Sequence, residues 1–212
     1  MGVDILVGPN VLIPRPETEL LGWEAVKILR TRGPSQVVID MCCGSGNLAC
    51  GVSATLPDTR IFACDLTDDS VDLACQNVER LRFGDGITVS KGDLFSALDT
   101  PVLADMIVCN PPYISRGRLL GDGAHLLAQE PREAFDGGDY GIAIQQRVIR
   151  EAERFLKADG YLVMEFGVGQ DRQVAMLARR AKVSDYYMVN DGQGRPRVLV
   201  ARWIPGSPNS KT

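Results

Sequence analysis

Val37-Val38-Ile39-Asp40-Met41-Cys42-Cys43-Gly44-Ser45-Gly46-Asn47 is the stretch that decides how this chain folds. Val37 to Asp40 reads as a strand, the glycines as a tight loop, and Leu48 to Leu56 as the helix that follows. Glycines let a bulky ligand approach the backbone, and a helix start offers free N–H groups to a negative group. A cofactor is therefore expected on this turn, with Asp40, Cys42, Cys43, Gly44, Ser45 and Gly46 as its candidate contacts.

The same alternation continues outward. Ile61 to Cys64 precedes the helix-period segment Val71 to Leu81, and Ile87 to Val89 and Met106 to Cys109 follow. A helix with Ile144, Val148, Ala152 and Phe155 on its core face leads to Tyr161–Met164, and one with Val174, Leu177, Ala178 and Ala181 leads to Tyr186–Val189 and Val198–Trp203. Strands apolar on both faces and separated by helices predict a Rossmann-like α/β fold, a mostly parallel seven-stranded sheet with helices on both faces. Asn190 to Gly194 is too short for a helical crossover, so the last pair contains one antiparallel strand.

Ahead of the sheet, Ile5–Val7 and Val11–Ile13 around Gly8-Pro9-Asn10 read as a hairpin. Pro14 and Pro16 then start a helix that ends at Gly33-Pro34. The expected organisation is a hairpin and entry loop over 1–16, one domain over 17–204, and a disordered tail over 205–212.

Bulk properties narrow the function. The 212 residues are 45% hydrophobic, enough for one full core. The net charge of −4 and the absence of a Lys/Arg cluster argue against a protein held to nucleic acid through phosphates. No run reaches the roughly 18 apolar residues of a membrane span and no signal peptide is visible, so a cytoplasmic protein is expected. Six cysteines without a CxxC pair, and the single histidine His125, give zinc no support; the thiols read as buried and reduced. His125, alone in a polar loop, reads as structural or solvated rather than as a base.

Asp65 ends the second strand about 20 residues after the glycine loop, where nucleotide-binding folds place an acid against ribose hydroxyls. Gly44 to Ala49 also satisfies the dinucleotide fingerprint, so a nicotinamide dehydrogenase is a competing reading. Three features favour S-adenosylmethionine. Asp40 can hold an ammonium, directly or through water. Within Gly92-Asp93-Leu94-Phe95, Asp93 can accept from an adenine amino group while Leu94 packs on the ring, although the two also read as a turn residue and a core leucine. The third is Asn110-Pro111-Pro112-Tyr113, directly after a strand. Two prolines stiffen that bend. The Asn side-chain oxygen and a neighbouring carbonyl accept both hydrogens of a planar –NH2 group, and an aromatic ring stacks on it. The tetrapeptide is the candidate catalytic site.

These motifs, in this order, resemble the HemK/PrmC-type class I methyltransferases, which methylate the glutamine side-chain amide in the GGQ motif of peptide-chain release factors. The resemblance extends to Val11-Leu12-Ile13-Pro14-Arg15-Pro16-Glu17-Thr18-Glu19-Leu20-Leu21 and to Glu130-Pro131-Arg132-Glu133-Ala134-Phe135-Asp136-Gly137-Gly138. It implies that Cys42 to Gly46, Asp65, Leu94 and Asn110 contact the cofactor, and that Asn110, Pro111, Pro112 and Tyr113 contact the substrate. Cys42-Cys43 stands where the family usually has Gly-Thr, which reduces backbone freedom at Cys42. The family's N-terminal helical domain is expected to be lacking. A small nitrogenous metabolite, with a pocket built from the Ser115 to Gln129 insertion, is the alternative acceptor, and adenine in nucleic acid a weaker one.

Overall fold

A computed structural model describes residues 1–98, 100–121, 127 and 130–204. His125, most of the Ser115–Gln129 insertion's second half and the 205–212 tail lie outside the described residues. The helices are α1 (Thr18–Arg30), α2 (Asn47–Thr55), α3 (Asp68–Arg80), α4 (Arg116–Leu120), α5 (Ala143–Ala152) and α6 (Asp171–Arg180). The strands are β1 (Val37–Met41), β2 (Arg60–Asp65), β3 (Ile87–Lys91), β4 (Ala104–Cys109), β5 (Leu156–Glu165), β6 (Asp185–Asn190) and β7 (Pro196–Arg202).

One seven-stranded sheet runs in the order β3-β2-β1-β4-β5-β7-β6. All pairings are parallel except those of β7, which lies antiparallel to both β5 and β6. The expected architecture is borne out, including the single reversed strand. Side chains leave each strand on alternate faces, so Val38, Met106 and Val163 pack under α1, α2 and α3, while Ile39, Ile107 and Leu162 pack under α5 and α6. All six residues of β4 are buried, as a central parallel strand requires. Successive connections reverse direction between β1 and β4, and such a switch point opens a crevice at the strands' C-terminal ends.

The hairpin expected over 5–13 does not form. Residues 1–15 contain a turn at Pro9-Asn10 and no strand. Asn77 on α3 takes the place of a partner strand: its Oδ1 accepts from Leu6 N at 2.6 Å and its Nδ2 donates to Leu6 O at 3.1 Å and Ser45 O at 2.9 Å. One fully buried amide thus satisfies both backbone groups of Leu6 and ties the segment to α3. Replacing Asn77 by Ala leaves these groups unpaired and is expected to cost about 1–3 kcal/mol. Urea unfolding measures that loss, and faster hydrogen exchange at Leu6 locates it. Unchanged protection at Leu6 would contradict the tether.

Candidate functional site

The loops leaving β1, β2, β3 and β4 build one cleft of about 960 Å³, counted out to its open mouth. Its walls carry Cys42, Cys43, Gly44, Ser45, Asp65, Asp93, Leu94, Asn110 and Pro112. Leu12 and Pro14 of the N-terminal segment and Pro131, Glu133, Ala134 and Ile144 close it from the other side. Glu130 ties those two sides together, pairing with Arg15 and accepting from Ile13 N at 2.8 Å.

Two residues of the glycine loop face elsewhere. Gly46 begins α2 with φ 74° and packs on α3, where an added Cβ would meet that of Ala74 at 3.3 Å. Asp40 is fully buried behind the loop rather than on the cleft wall. One of its oxygens accepts from Ala49 N at 3.0 Å and holds the start of α2; the other has no partner among the described residues. Burial pushes its carboxyl up to about 7; the Ala49 bond opposes the rise and Asp65 adds to it.

Asp65 secures the cleft floor. Its Oδ2 accepts from Gly44 N at 2.8 Å and its Oδ1 from Leu66 N at 2.8 Å. Oδ1 also accepts a longer bond from Thr67 N at 3.4 Å, and since a carboxylate has about four acceptor sites, capacity for a ligand hydroxyl remains. Asp93 differs from the free acceptor expected for it, because Arg147 grips both of its oxygens at 3.0 and 2.9 Å. Leu94 lines the cleft in the left-handed region at φ 52°, a conformation a bulky residue keeps only under constraint. Cys42 does the same at φ 60°, where the resembled family usually has glycine. Burial pushes the Cys64 thiol up to about 12 and holds those of Cys43 and Cys109 well above the ordinary thiol range, so these three are neutral thiols at physiological pH.

A second cavity of about 580 Å³, counted the same way, adjoins the first. Arg15, Pro111, Tyr113, Ile114 and Phe135 line it, and Leu12, Asn110 and Ala134 border both cavities. The structure therefore brings all of Asn110, Pro111, Pro112 and Tyr113 to the junction of two spaces. Gln170 Nε2 donates to the Tyr113 carbonyl at 2.9 Å, and the Tyr113 hydroxyl donates to Glu165 at 3.2 Å. Asn110 Nδ2 donates to Thr18 Oγ1 at 3.1 Å, while no described residue donates to its Oδ1.

Sequence reading missed Glu165, Gln170 and Arg197, and it did not single out Thr18 within its motif. One signal was available for Glu165: it ends the apolar run Leu162 to Met164 as Asp65 ends the run of β2. Gln170 and Arg197 carried none.

The cleft fits a cofactor with a nucleoside and a polar tail. Ser45 Oγ is buried on its wall without a partner among the described residues, the Asp65 carboxylate stands at the end of β2, and Leu94 presents an apolar face. Fold and cleft fit a Rossmann-like class I methyltransferase dependent on S-adenosylmethionine, and the relatives show that the chain is one. Residues 24–138 match the Methyltransferase small domain family. The release factor glutamine methyltransferase of Geobacter sulfurreducens is 33% identical over 201 residues, which cover 95% of this chain and 69% of that protein. That of Koribacter versatilis is 35% identical over 201 residues, covering 95% of this chain and 70% of that one. The crystal structure of a release factor-specific protein-(glutamine-N5) methyltransferase from Alicyclobacillus acidocaldarius is 25% identical, with a TM-score of 0.56, covering 95% of this chain and all of that one. This chain belongs to the release factor glutamine methyltransferase family, as its motifs implied.

Asp40 makes stability pH-dependent in a definite sense. Its folded pKa lies above the ordinary value of 3.8, so the folded state keeps a proton the unfolded chain has released, and stability falls as pH rises from there to about 7. Asp40→Asn keeps an acceptor for Ala49 N and removes the charge. The melting temperature of the variant relative to the native protein is expected to climb across that window and level off above it. A difference independent of pH would contradict the assignment.

Proposed function

We propose that this chain transfers a methyl group from S-adenosylmethionine to the side-chain amide nitrogen of a glutamine in a peptide-chain release factor. The observation that carries the reading is Asn110 at the border of two cavities, its nitrogen end held by Thr18 and its oxygen end left open. Family membership supports the acceptor. A release factor would be met in the cytoplasm, a setting consistent with six cysteines that form no disulfide. No described helix is long and apolar enough to cross a membrane.

S-adenosylmethionine, when bound, supplies an electrophilic methyl group on a sulfonium. In this reading Asp65 holds ribose hydroxyls, Leu94 packs on the adenine, and Cys42 to Ser45 bring their backbone against the rest of the cofactor. The second cavity takes the glutamine side chain. Asn110 Oδ1 and the Pro111 carbonyl accept its two amide hydrogens, and Tyr113 packs beside the amide plane. An amide nitrogen is a weak nucleophile because its lone pair is delocalised. Accepting both N–H bonds raises electron density on the nitrogen and receives the hydrogen made acidic by alkylation. Orientation of this kind contributes up to about 7–11 kcal/mol.

Incubation with labelled S-adenosylmethionine and purified release factor, followed by mass spectrometry, is expected to find one glutamine methylated. Label appearing only in a small-molecule extract or in nucleic acid would overturn the reading. Asn110→Ala is expected to leave cofactor affinity intact while lowering turnover by orders of magnitude. Asp65→Ala has the opposite signature, with affinity weakened by about 1.5–3 kcal/mol in calorimetry.

A further inference from the structure

We infer that Thr18 and Glu165 are positioning residues that decide which end of the Asn110 amide faces the methyl acceptor. The inference rests on the glutamine reading for its consequence in turnover, and on hydrogen-bond logic alone for its structural part.

The two ends of an asparagine amide have nearly the same shape, so packing does not choose between them; hydrogen bonds do. The choice matters here. With Oδ1 toward the acceptor cavity, Asn110 receives a hydrogen from an –NH2 group. With Nδ2 there, donor meets donor and the –NH2 group is turned away.

The polarity is set from Glu165. An ionised carboxylate only accepts. Its Oε2 takes the single hydrogen of the Thr18 hydroxyl at 3.0 Å, which leaves that hydroxyl only lone pairs to offer Asn110. Asn110 must then answer with Nδ2, at 3.1 Å, and its oxygen is forced toward the cavities. The other carboxylate oxygen, Oε1, accepts from the Tyr113 hydroxyl and from Arg197 Nη2, both at 3.2 Å. Glu165 is therefore fixed from both sides. Thr18 and Glu165 are almost fully buried, so both bonds are shielded from bulk solvent. The relay joins the start of α1, the end of β4 and the end of β5, positions 92 and 147 residues apart from Thr18.

A test must separate this role from simple docking of α1 on the sheet. Thr18→Val keeps the volume and removes the hydroxyl; Thr18→Ser keeps the hydroxyl. Glu165→Gln reverses the relay: Arg197 holds the new amide by its oxygen, the –NH2 end faces Thr18, and the Thr18 hydrogen turns toward Asn110. Each variant is measured for cofactor affinity by calorimetry, for kcat and KM with release factor, and for the Asn110 side-chain –NH2 resonances by ¹⁵N NMR.

Thr18→Val and Glu165→Gln are expected to keep cofactor affinity and acceptor KM, to lose about a hundredfold in kcat, and to shift the Asn110 –NH2 resonances. Thr18→Ser is expected to restore both kcat and resonances, and the double variant to fall no further than Glu165→Gln alone. A Thr18→Val protein with native kcat and unmoved Asn110 resonances would overturn the relay. Should the native enzyme methylate no release factor, the glutamine reading falls, and the resonances still decide the relay.

Discussion

The constraint on which the site depends is the parallel register of β1 against β4. Asp40 pairs with Val108 and Met41 with Cys109, so the loops that begin at Cys42 and Asn110 leave the sheet at the same height. A slip of one residue would displace one loop by about 3.3 Å and turn every side chain of its strand to the other face. Because β4 is buried on both faces, such a slip would leave no apolar group in water, but it would put side chains of the wrong size into both packed faces and break the bond from Val37 N to Asp105 Oδ2 at 2.8 Å. Core packing and the Asp105 tie thus set the distance between the two half-sites without any residue of either taking part.

Two non-glycine residues on the cleft wall, Cys42 and Leu94, hold left-handed backbone, each at about 1–2 kcal/mol. Neither conformation is local in origin. Cys43 N donates to Cys64 O at 3.0 Å and Gly44 N to the Asp65 carboxylate, while Gly92 N donates to Asp65 O at 2.9 Å. The end of β2 therefore holds the loops on both sides of it, and the strain sits where a ligand would meet rigid walls.

How much of this was legible in the sequence follows the range of the interactions. The sheet, its one reversed strand and the two loops were readable because apolar runs, glycines and prolines act locally. The hairpin misreading had a long-range cause: Leu6 is paired by Asn77, 71 residues away, and no local signal distinguishes a strand waiting for a neighbour from a segment tied down by one side chain. Asp40 and Asp93 were recognisable as acids near a cofactor loop, but their engagement with Ala49 N and Arg147 depends on tertiary packing. The supports of the tetrapeptide were hidden for the same reason, since Thr18, Glu165, Gln170 and Arg197 meet only in the folded chain.

The buried carboxylate of Glu165 also bears on why polar groups are present here at all. Burial raises its pKa, while Thr18, Arg197 and Tyr113 oppose that rise. A buried ion pair with satisfied partners contributes little net stability, and well-packed apolar residues of similar volume are often as stable or more so. Stability alone therefore does not account for a glutamate at the end of β5. What an apolar replacement lacks is direction: only an obligate acceptor fixes the hydrogen of Thr18, and only a fixed Thr18 fixes the amide of Asn110. In the relay we infer, the desolvated carboxylate at this point is what turns the Asn110 oxygen toward the acceptor cavity.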